Sequence, residues 1–126
     1  MFKNSQAFSG FSVRDLKKAQ KFYGETLGLN TELSEMGLVL KITGSKGVFI
    51  YNKPNHKPAT YTVLNFSVKN IDKAVEELKA KGIKFESYKG MTDKDGIARG
   101  LSQNMGPDIA WFKDPDENIL SVLQEK

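Results

Sequence analysis

The sequence contains no cysteine and only one histidine, His56. Without cysteine the chain cannot form disulfide bonds, thiolate metal sites or cysteine nucleophiles, which fits the cytoplasmic location that we predict. The single imidazole lies in a linker between two prolines, where we expect a solvated side chain. Catalysis by His56 is therefore not the favoured interpretation, because a general base needs a positioned partner and none is evident nearby.

The sequence also lacks long apolar runs and is poor in arginine. No stretch approaches the roughly 18 apolar residues that a membrane-spanning helix needs, and the first residues show no apolar signal segment. Only two of the 19 basic residues are arginines, Arg14 and Arg99, and many lysines alternate with acidic residues as on a solvated helix face. We therefore expect neither a membrane nor a nucleic acid as partner. The net charge of +4 also disfavours cationic ligands.

What the sequence does contain is an internal repeat. Residues 11–19 (FSVRDLKKA) are nearly repeated at residues 66–74 (FSVKNIDKA). In each copy a strand pattern runs into a helix N-cap residue, Asp15 or Asn70, after which apolar residues recur at helical spacing. A glycine ends each predicted helix. The repeat therefore indicates two modules that begin in the same way.

Three short strands are predicted after each helix, which gives each half the order βαβββ. The predicted strands are 7–13, 29–35, 38–43 and 47–52 in the first half, and 61–68, 83–88, 109–113 and 119–123 in the second. Two prolines hold the linker 53–58 extended. The long Gly-rich connection 89–107 is typical of a functional lid or of a disordered segment.

These elements predict an α+β fold in one domain, residues 1–126. One βαβββ module has a single helix, which can cover only one face of a small sheet. Two modules, about 1–53 and 60–126, can together make a curved mixed sheet with both helices on its convex side. The concave side would then form a cleft, which favours a binding function.

Three segments resemble the vicinal-oxygen-chelate superfamily, which includes glyoxalase I, bleomycin-resistance proteins, fosfomycin-resistance proteins and extradiol dioxygenases. The first segment is 13–29, which contains an Asp-Leu cap, a Phe-Tyr pair and a Leu-Gly-Leu end. The other two are 66–82 and the turn 111–118. The resemblance covers essentially the whole chain. One departure is Glu117, where the family commonly has glycine; a positive φ there would cost glutamate about 1 kcal/mol.

The resemblance also implies positions for a divalent metal, and this chain lacks its ligands there. The histidine positions of the two first strands correspond to Phe8 and Val63, and the glutamate of the last strand corresponds to Ser121. The remaining carboxylate position falls on Val48 or Ile50. Phenyl and aliphatic side chains cannot bind a metal, and a lone serine is a poor ligand. We therefore predict no metal and no other cofactor.

Candidate ligand-binding residues follow from the alternation of strand side chains and from the resemblance. The metal positions that the resemblance implies mark the cleft side of each strand, and alternation then places Ser12, Asn65, Ser67 and Ser121 on that side. The resemblance gives Trp111 as a flat aromatic platform, with a core tryptophan as the alternative. Tyr51, near the end of its strand, is a weaker candidate of the same kind. Arg99, in the 89–107 connection, is either an anion clamp at the cleft entrance or an ordinary surface arginine. The predicted set is Ser12, Tyr51, Asn65, Ser67, Arg99, Trp111 and Ser121.

The leading hypothesis is a metal-free, small-molecule-binding protein whose ligand is neutral or anionic and partly aromatic. One alternative is a metal-independent lyase or isomerase that uses Arg99, Asp93 or His56, although we expect the carboxylates Asp93, Asp95 and Asp108 to be solvated. Another is an interaction module whose cleft is closed. No catalytic residue is assigned, and the resemblance implies a homodimer.

Overall fold

The computed structural model describes residues 1–126, which form two compact units, Met1–Pro58 and Ala59–Lys126. Each unit contains one four-stranded mixed sheet and one main helix. The α+β class is therefore confirmed. No helix in the structure has both the length and the apolar character that a membrane crossing requires.

The sheet of the first unit, sheet 1, has the strand order β1-β4-β3-β2. Its strands are β1 Ser9–Val13, β2 Asn30–Leu33, β3 Leu38–Lys41 and β4 Val48–Asn52. The first strand runs parallel to β4, and the other neighbours are antiparallel. Buried residues alternate along the strands, as expected for a sheet with one face against a core. This core contains Phe11, Val13, Leu38, Leu40, Val48 and Ile50, together with Ala19, Phe22 and Tyr23 of the helix.

The first helix changes geometry along its length. It begins as α1, Leu16–Gln20, where the Asp15 side chain accepts a hydrogen bond from the Lys18 N–H as the predicted N-cap. It continues as a π-helical segment, Lys21–Thr26, and the Leu27 N–H reaches the Phe22 carbonyl, 2.9 Å away. The sequence predicts a continuous α-helix here. The wider π-turn carries two consecutive buried rings, Phe22 and Tyr23, which meet edge to face at 5.1 Å.

The sheet of the second unit, sheet 2, has the strand order β5-β8-β7-β6. Its strands are β5 Thr62–Ser67, β6 Ile97–Arg99, β7 Asp108–Lys113 and β8 Ile119–Gln124. The helix α2, Ile71–Ala80, begins at the predicted cap Asn70, whose side chain accepts from the Lys73 N–H. Ile71 and Val75 are its buried residues, and burying such a side chain stabilises the fold by about 1.5–3 kcal/mol.

The second strand of this unit is not the predicted one. Residues 83–88 make only an isolated bridge between Phe85 and Phe112, and the strand prediction there is wrong. The apolar residue Phe85 of this alternating segment packs against Phe112, with ring centres 5.6 Å apart, without forming part of a strand. The edge strand comes instead from the 89–107 connection, which contains β6 and a short 3-10 turn, Leu101–Gln103. That connection is thus partly regular structure.

A compact turn joins β7 to β8. Asp114 is buried, and its carboxylate accepts hydrogen bonds of 2.9 Å from the N–H groups of Asp116 and Asn118 and from the Asn118 side-chain amide. Glu117 in this turn has φ +69°, so the positive φ considered from the sequence is present. The turn fixes the start of β8 and hence the positions of its side chains.

Candidate functional site

The two faces of sheet 2 differ in what covers them. Gln124 of β8 accepts a hydrogen bond from the Ile71 N–H at the start of α2, so its face lies against the helix. Phe112 of β7 is fully buried on that same face. Because side chains alternate, Ser121 and Trp111 lie on the opposite face, which we call the distal face of sheet 2.

Three predicted site residues form one row across this distal face. In the strand register, Ser121 of β8 pairs with Asn65 on one side and with Trp111 on the other. The Ser121 hydroxyl donates a hydrogen bond to the Asn65 side-chain carbonyl, 2.5 Å away, and Ser121 is fully buried while Asn65 is exposed. Ser67 is exposed and pairs with Leu123, two residues further along. The structure thus brings Asn65, Ser67, Trp111 and Ser121 together.

The indole of Trp111 lies across the central strand. Its Nε1–H donates to the Thr62 hydroxyl, 3.2 Å away, although Trp111 is on β7 and Thr62 is on β5, with β8 between them. The ring therefore passes over β8, where Ser121 has no exposed surface. Trp111 is half-buried, so part of the indole remains accessible. A flat indole fixed by its N–H is a surface on which planar groups pack well.

Tyr88 adds a second ring to this face. Its ring centre lies 5.5 Å from that of Trp111, and the two planes are nearly perpendicular at 81°. Tyr88 is 38% exposed. The two rings therefore form an aromatic corner, to which Asn65 and Thr62 add polar groups along β5.

Arg99 lies on the other face of sheet 2. It pairs with Asp108 in the strand register, and its guanidinium makes two hydrogen bonds, of 2.6 and 3.1 Å, to the Asp72 carboxylate of α2. Its Nε donates to Asp93 at 3.0 Å, and Asp108 lies 3.7 Å from Nη1. Three carboxylates of this chain thus surround its charge. The structure does not bring Arg99 to the distal face with the other predicted residues.

This network also changes the ionisation of its members. The hydrogen bond from Arg99 holds the pKa of Asp72 below its ordinary value. Burial alone would raise the pKa of Asp93, but hydrogen bonds from the Ile97 N–H, from Arg99 and from the Asp95 N–H together lower it. Hydrogen bonds from the two carboxylates raise the pKa of Arg99. The network is a charged link between α2, β6 and the loop before it.

The loop carboxylates are less solvated than the sequence suggests. Asp108 is buried, with 8% of its surface exposed, and its Oδ1 accepts from the Leu101 N–H at 3.0 Å. Asp93 is half-buried and accepts from two backbone N–H groups as well as from Arg99. Asp95 is also half-buried and lies 3.9 Å from the Lys79 ammonium group. The expectation of solvated carboxylates is therefore wrong for Asp108 and Asp93.

In the first unit, the predicted residues Ser12 and Tyr51 are neighbours. They pair across β1 and β4, on the face of sheet 1 opposite the buried Phe11 and Ile50. Tyr51 is 40% exposed, and its ring is nearly parallel to that of Phe49 at 18° and 6.1 Å. Tyr51 therefore belongs to an aromatic pair beside Ser12.

His56 is not solvated, contrary to the expectation from its linker position. Only 3% of its surface is exposed, and its Nδ1 lies 2.6 Å from the Ser12 hydroxyl. Its backbone carbonyl accepts a hydrogen bond from Arg14 at 3.2 Å. The linker thus folds back onto β1 and buries the imidazole.

The positions that the resemblance gives for a divalent metal do not fit one. Phe8 precedes β1 and is 60% exposed, Val63 lies where the register of β5 and β8 shifts, and Ser121 is bonded to Asn65. Val48 and Ile50 are buried aliphatic residues of sheet 1. Nowhere in residues 1–126 do three or more His, Asp or Glu side chains group closely enough to hold a metal ion. These side chains do not form a metal-binding donor set.

Comparison with known proteins decides the family. A model of the glyoxalase/bleomycin resistance protein/dioxygenase superfamily matches residues 7–122. The chain belongs to this superfamily. The match confirms the resemblance seen in the sequence and, with the two four-stranded sheets, fits the βαβββ fold of the superfamily.

The proteins and solved structures that the chain resembles are distant from it in sequence. The uncharacterized protein YraH of Bacillus subtilis is 26% identical, over 89% of this chain and 91% of that protein. TnmS3, an antibiotic binding protein from Streptomyces sp. CB03234, has a TM-score of 0.71 at 20% identity, covering 100% of this chain and 99% of its own. The fosfomycin resistance protein FosX from Listeria monocytogenes has a TM-score of 0.71 at 18% identity, covering 98% and 94%. At such identities the structural likeness concerns the fold alone.

Sequence reasoning missed two residues beside the predicted ones, Thr62 and Tyr88, and it also missed the burial of His56. Strict alternation along β5 predicts that Thr62 lies on the opposite face from Asn65. The register shift between Thr62 and Leu64 places Thr62 on the same face as Asn65 instead. Tyr88 ends a segment that the sequence predicts to be a strand, residues 83–88. No local pattern reveals that His56 is buried, because its partner Ser12 is 44 residues away in the sequence.

Proposed function

We propose that this superfamily member binds a small, partly aromatic molecule, neutral or anionic, on the distal face of sheet 2 and without a metal ion. The observation that carries the proposal is the indole of Trp111, which is held over β8 by Thr62 and is flanked by Tyr88. A ring stacked on the indole would have its edge toward Tyr88, and such aromatic contacts contribute about 0.5–1.5 kcal/mol each.

Polar groups beside the indole support a ligand with a hydrogen-bond acceptor. Asn65 uses its side-chain carbonyl to accept from Ser121, so its amide N–H groups are the donors that remain for a ligand. Asn65 is exposed, which makes those donors accessible. A carbonyl or carboxylate is the complementary group, and the net charge of +4 favours an anion over a cation.

The comparisons support binding as the type of function. TnmS3, which shares the fold across the whole chain, is an antibiotic binding protein. The side chains at the family's metal positions favour binding over metal-dependent chemistry here, because they supply no ligand set. A cytoplasmic location and a homodimer stay predictions; light scattering on the purified protein checks the second.

Native mass spectrometry of protein purified from its host, followed by thermal shift with a panel of aromatic acids and amides, tests the proposal. Bound ligand stabilises the native state and raises the melting temperature. Trp111→Ala should weaken binding about tenfold, which corresponds to about 1.4 kcal/mol. Phe2→Ala is the matched control, because Phe2 is an aromatic residue that is 79% exposed and lies outside both sheets.

Two results would overturn the proposal. One is a stoichiometric divalent metal in the purified protein whose removal abolishes ligand binding. The other is a bound ligand whose affinity is the same in the wild type and in Trp111→Ala. Equal weakening by Phe2→Ala and Trp111→Ala would indicate nonspecific stacking on exposed rings and would count against the site.

A further inference from the structure

The pair formed by Ser12 and His56 has the geometry of a nucleophile with its base. The hydroxyl oxygen of Ser12 and Nδ1 of His56 are 2.6 Å apart, within the range of a strong hydrogen bond. In the tautomer with its proton on Nε2, the imidazole accepts the hydroxyl proton at Nδ1. A serine hydroxyl is a weak nucleophile alone and becomes active when an adjacent base takes its proton.

The backbone around His56 fixes the imidazole in place. The His56 N–H donates to the Lys53 carbonyl at 2.9 Å, and the Lys53 N–H donates to the Val13 carbonyl at 2.9 Å at the end of β1. Arg14 donates to the His56 carbonyl at 3.2 Å. The linker is therefore attached to the strand that carries Ser12, and the base is positioned before any substrate binds.

The surroundings of Ser12 offer an apolar surface for a substrate. Gly10 precedes Ser12 on the same face of β1, and the backbone carbonyl of Phe49 on the neighbouring strand lies close to it, 3.0 Å from where a Cβ would be. On the neighbouring strand lie the nearly parallel rings of Phe49 and Tyr51. Ser12 itself is half-buried, so it is not sealed in the core. The two rings are the surface on which an aromatic group of a substrate would pack.

We infer that Ser12 is an acyl-accepting nucleophile, that His56 is its general base, and that the substrates are small activated esters with an aromatic group. This site lies in the first unit and does not depend on the proposed function of the distal face of sheet 2.

The reaction is an acyl transfer that balances without any further reagent. The Ser12 oxygen attacks the carbonyl carbon of the ester while its proton passes to Nδ1 of His56. The bond from the carbonyl carbon to the leaving alcohol or phenol then breaks, and the leaving oxygen takes the proton from the imidazole. The products are acyl-Ser12 and the free alcohol. Water, deprotonated by the same imidazole, later hydrolyses the acyl-enzyme to the acid and regenerates the hydroxyl.

A fluorophosphonate probe tests this inference directly, because it forms a stable bond to an activated serine oxygen and releases fluoride. The full chain is incubated with the probe, the adduct is measured by intact mass, and the modified residue is identified by peptide mass spectrometry. We expect labelling at Ser12. Ser45 is the internal comparison, since it is exposed and its hydroxyl bonds only to backbone groups.

Variants separate catalysis from a structural role of the hydrogen bond. Ser12→Ala should abolish the adduct, and Ser45→Ala should leave it unchanged. His56→Gln can still bond to the hydroxyl but cannot take its proton, so the labelling rate should fall about 100-fold. Melting curves of each variant show whether it is folded.

The wild-type protein alone can overturn the inference. Absence of a Ser12 adduct, or labelling of Ser12 no faster than of Ser45, means that the hydrogen bond only holds the linker on β1. Equal labelling rates in a folded His56→Gln variant and in the wild type would likewise exclude His56 as the base.

Discussion

Thr62 accepts a hydrogen bond from the indole of Trp111 because the chain has one extra residue in β5. Thr62 pairs with Ile119 and Leu64 pairs with Leu120, so Val63 has no partner in the register. Such a bulge turns the preceding side chain to the other face of the sheet. Thr62 thereby reaches the distal face of sheet 2, where it fixes the orientation of the ring.

Replacing Thr62 by valine should expose the energetic role of this contact. The change keeps a similar shape but removes the acceptor, so the half-buried indole N–H loses its partner. The free energy of unfolding should fall by about 1 kcal/mol in urea titrations. Trp111→Phe removes the donor as well, and the double variant Thr62→Val/Trp111→Phe should cost little more than Trp111→Phe alone. Simple additivity of the two changes would contradict the contact.

Changes at Ser121 should show why a metal ligand does not fit this position. Ser121→Ala should cost about 1 kcal/mol, since the exposed Asn65 can bond to water instead. Ser121→Glu places a charged carboxylate where no surface is exposed, and it should destabilise the fold by on the order of 3 kcal/mol. Added Zn²⁺ or Mn²⁺ should not restore the melting temperature of Ser121→Glu. Recovery with either metal would show that other groups complete a site there.

Local patterns predicted the elements whose determinants are close together in the sequence. Asp15 and Asn70 act as N-caps because each side chain reaches an N–H only three residues later. Alternation correctly placed Asn65 and Ser67 on one face of β5, because no bulge lies between them. The family turn near the C-terminus is likewise a local arrangement around Asp114.

The remaining features depend on contacts that no local pattern encodes. The segment 83–88 alternates like a strand, but its alternation reflects the packing of Phe85 on Phe112 and not a ladder. The real edge strand, Ile97–Arg99, has only three residues and lies between glycines. Burial of His56 depends on a partner 44 residues away. Very short strands and contacts between residues far apart in the sequence are thus the features that the sequence alone does not predict.

The Arg99 network should make stability depend on pH below about pH 4. The pKa values of Asp72 and Asp93 are lower in the folded chain than their ordinary values. At a pH between the folded and the unfolded pKa values, the unfolded chain therefore binds more protons than the folded chain. Above the pKa that they have in the unfolded chain, the two carboxylates contribute their full stabilisation to the fold. This stabilisation is lost as the pH falls through their lower pKa values in the folded chain. Arg99→Met should therefore make the slope of unfolding free energy against pH shallower in this range.

Urea titrations between about pH 2.5 and pH 7, an interval that extends about 1.4 units below the ordinary pKa of aspartate, measure that slope. Lys41→Met is the control, because the pair of Lys41 with Glu32 is exposed at 60% and 67% and contributes little. Its slope should match that of the wild type. Identical slopes for Arg99→Met and the wild type would show that the carboxylates are not stabilised by Arg99.

Glu117→Gly should stabilise the protein. Glu117 has φ +69°, a conformation in which a side chain with Cβ costs roughly 1–2 kcal/mol and glycine costs little. The Glu117 side chain is exposed, and the hydrogen bonds of the turn come from backbone groups and from Asp114 and Asn118, so the change removes none of those contacts. Glycine also gains freedom in the unfolded chain, which offsets part of the benefit.

We expect a net gain of about 1 kcal/mol in the free energy of unfolding. Asn104→Gly is the matched control at the other positive-φ residue that is not glycine, with φ +56°. Asparagine tolerates this conformation well, so the control should change stability by only a few tenths of a kcal/mol. A loss of stability in Glu117→Gly would mean that the glutamate side chain contributes more than its backbone strain costs, for instance by its charge near the start of β8.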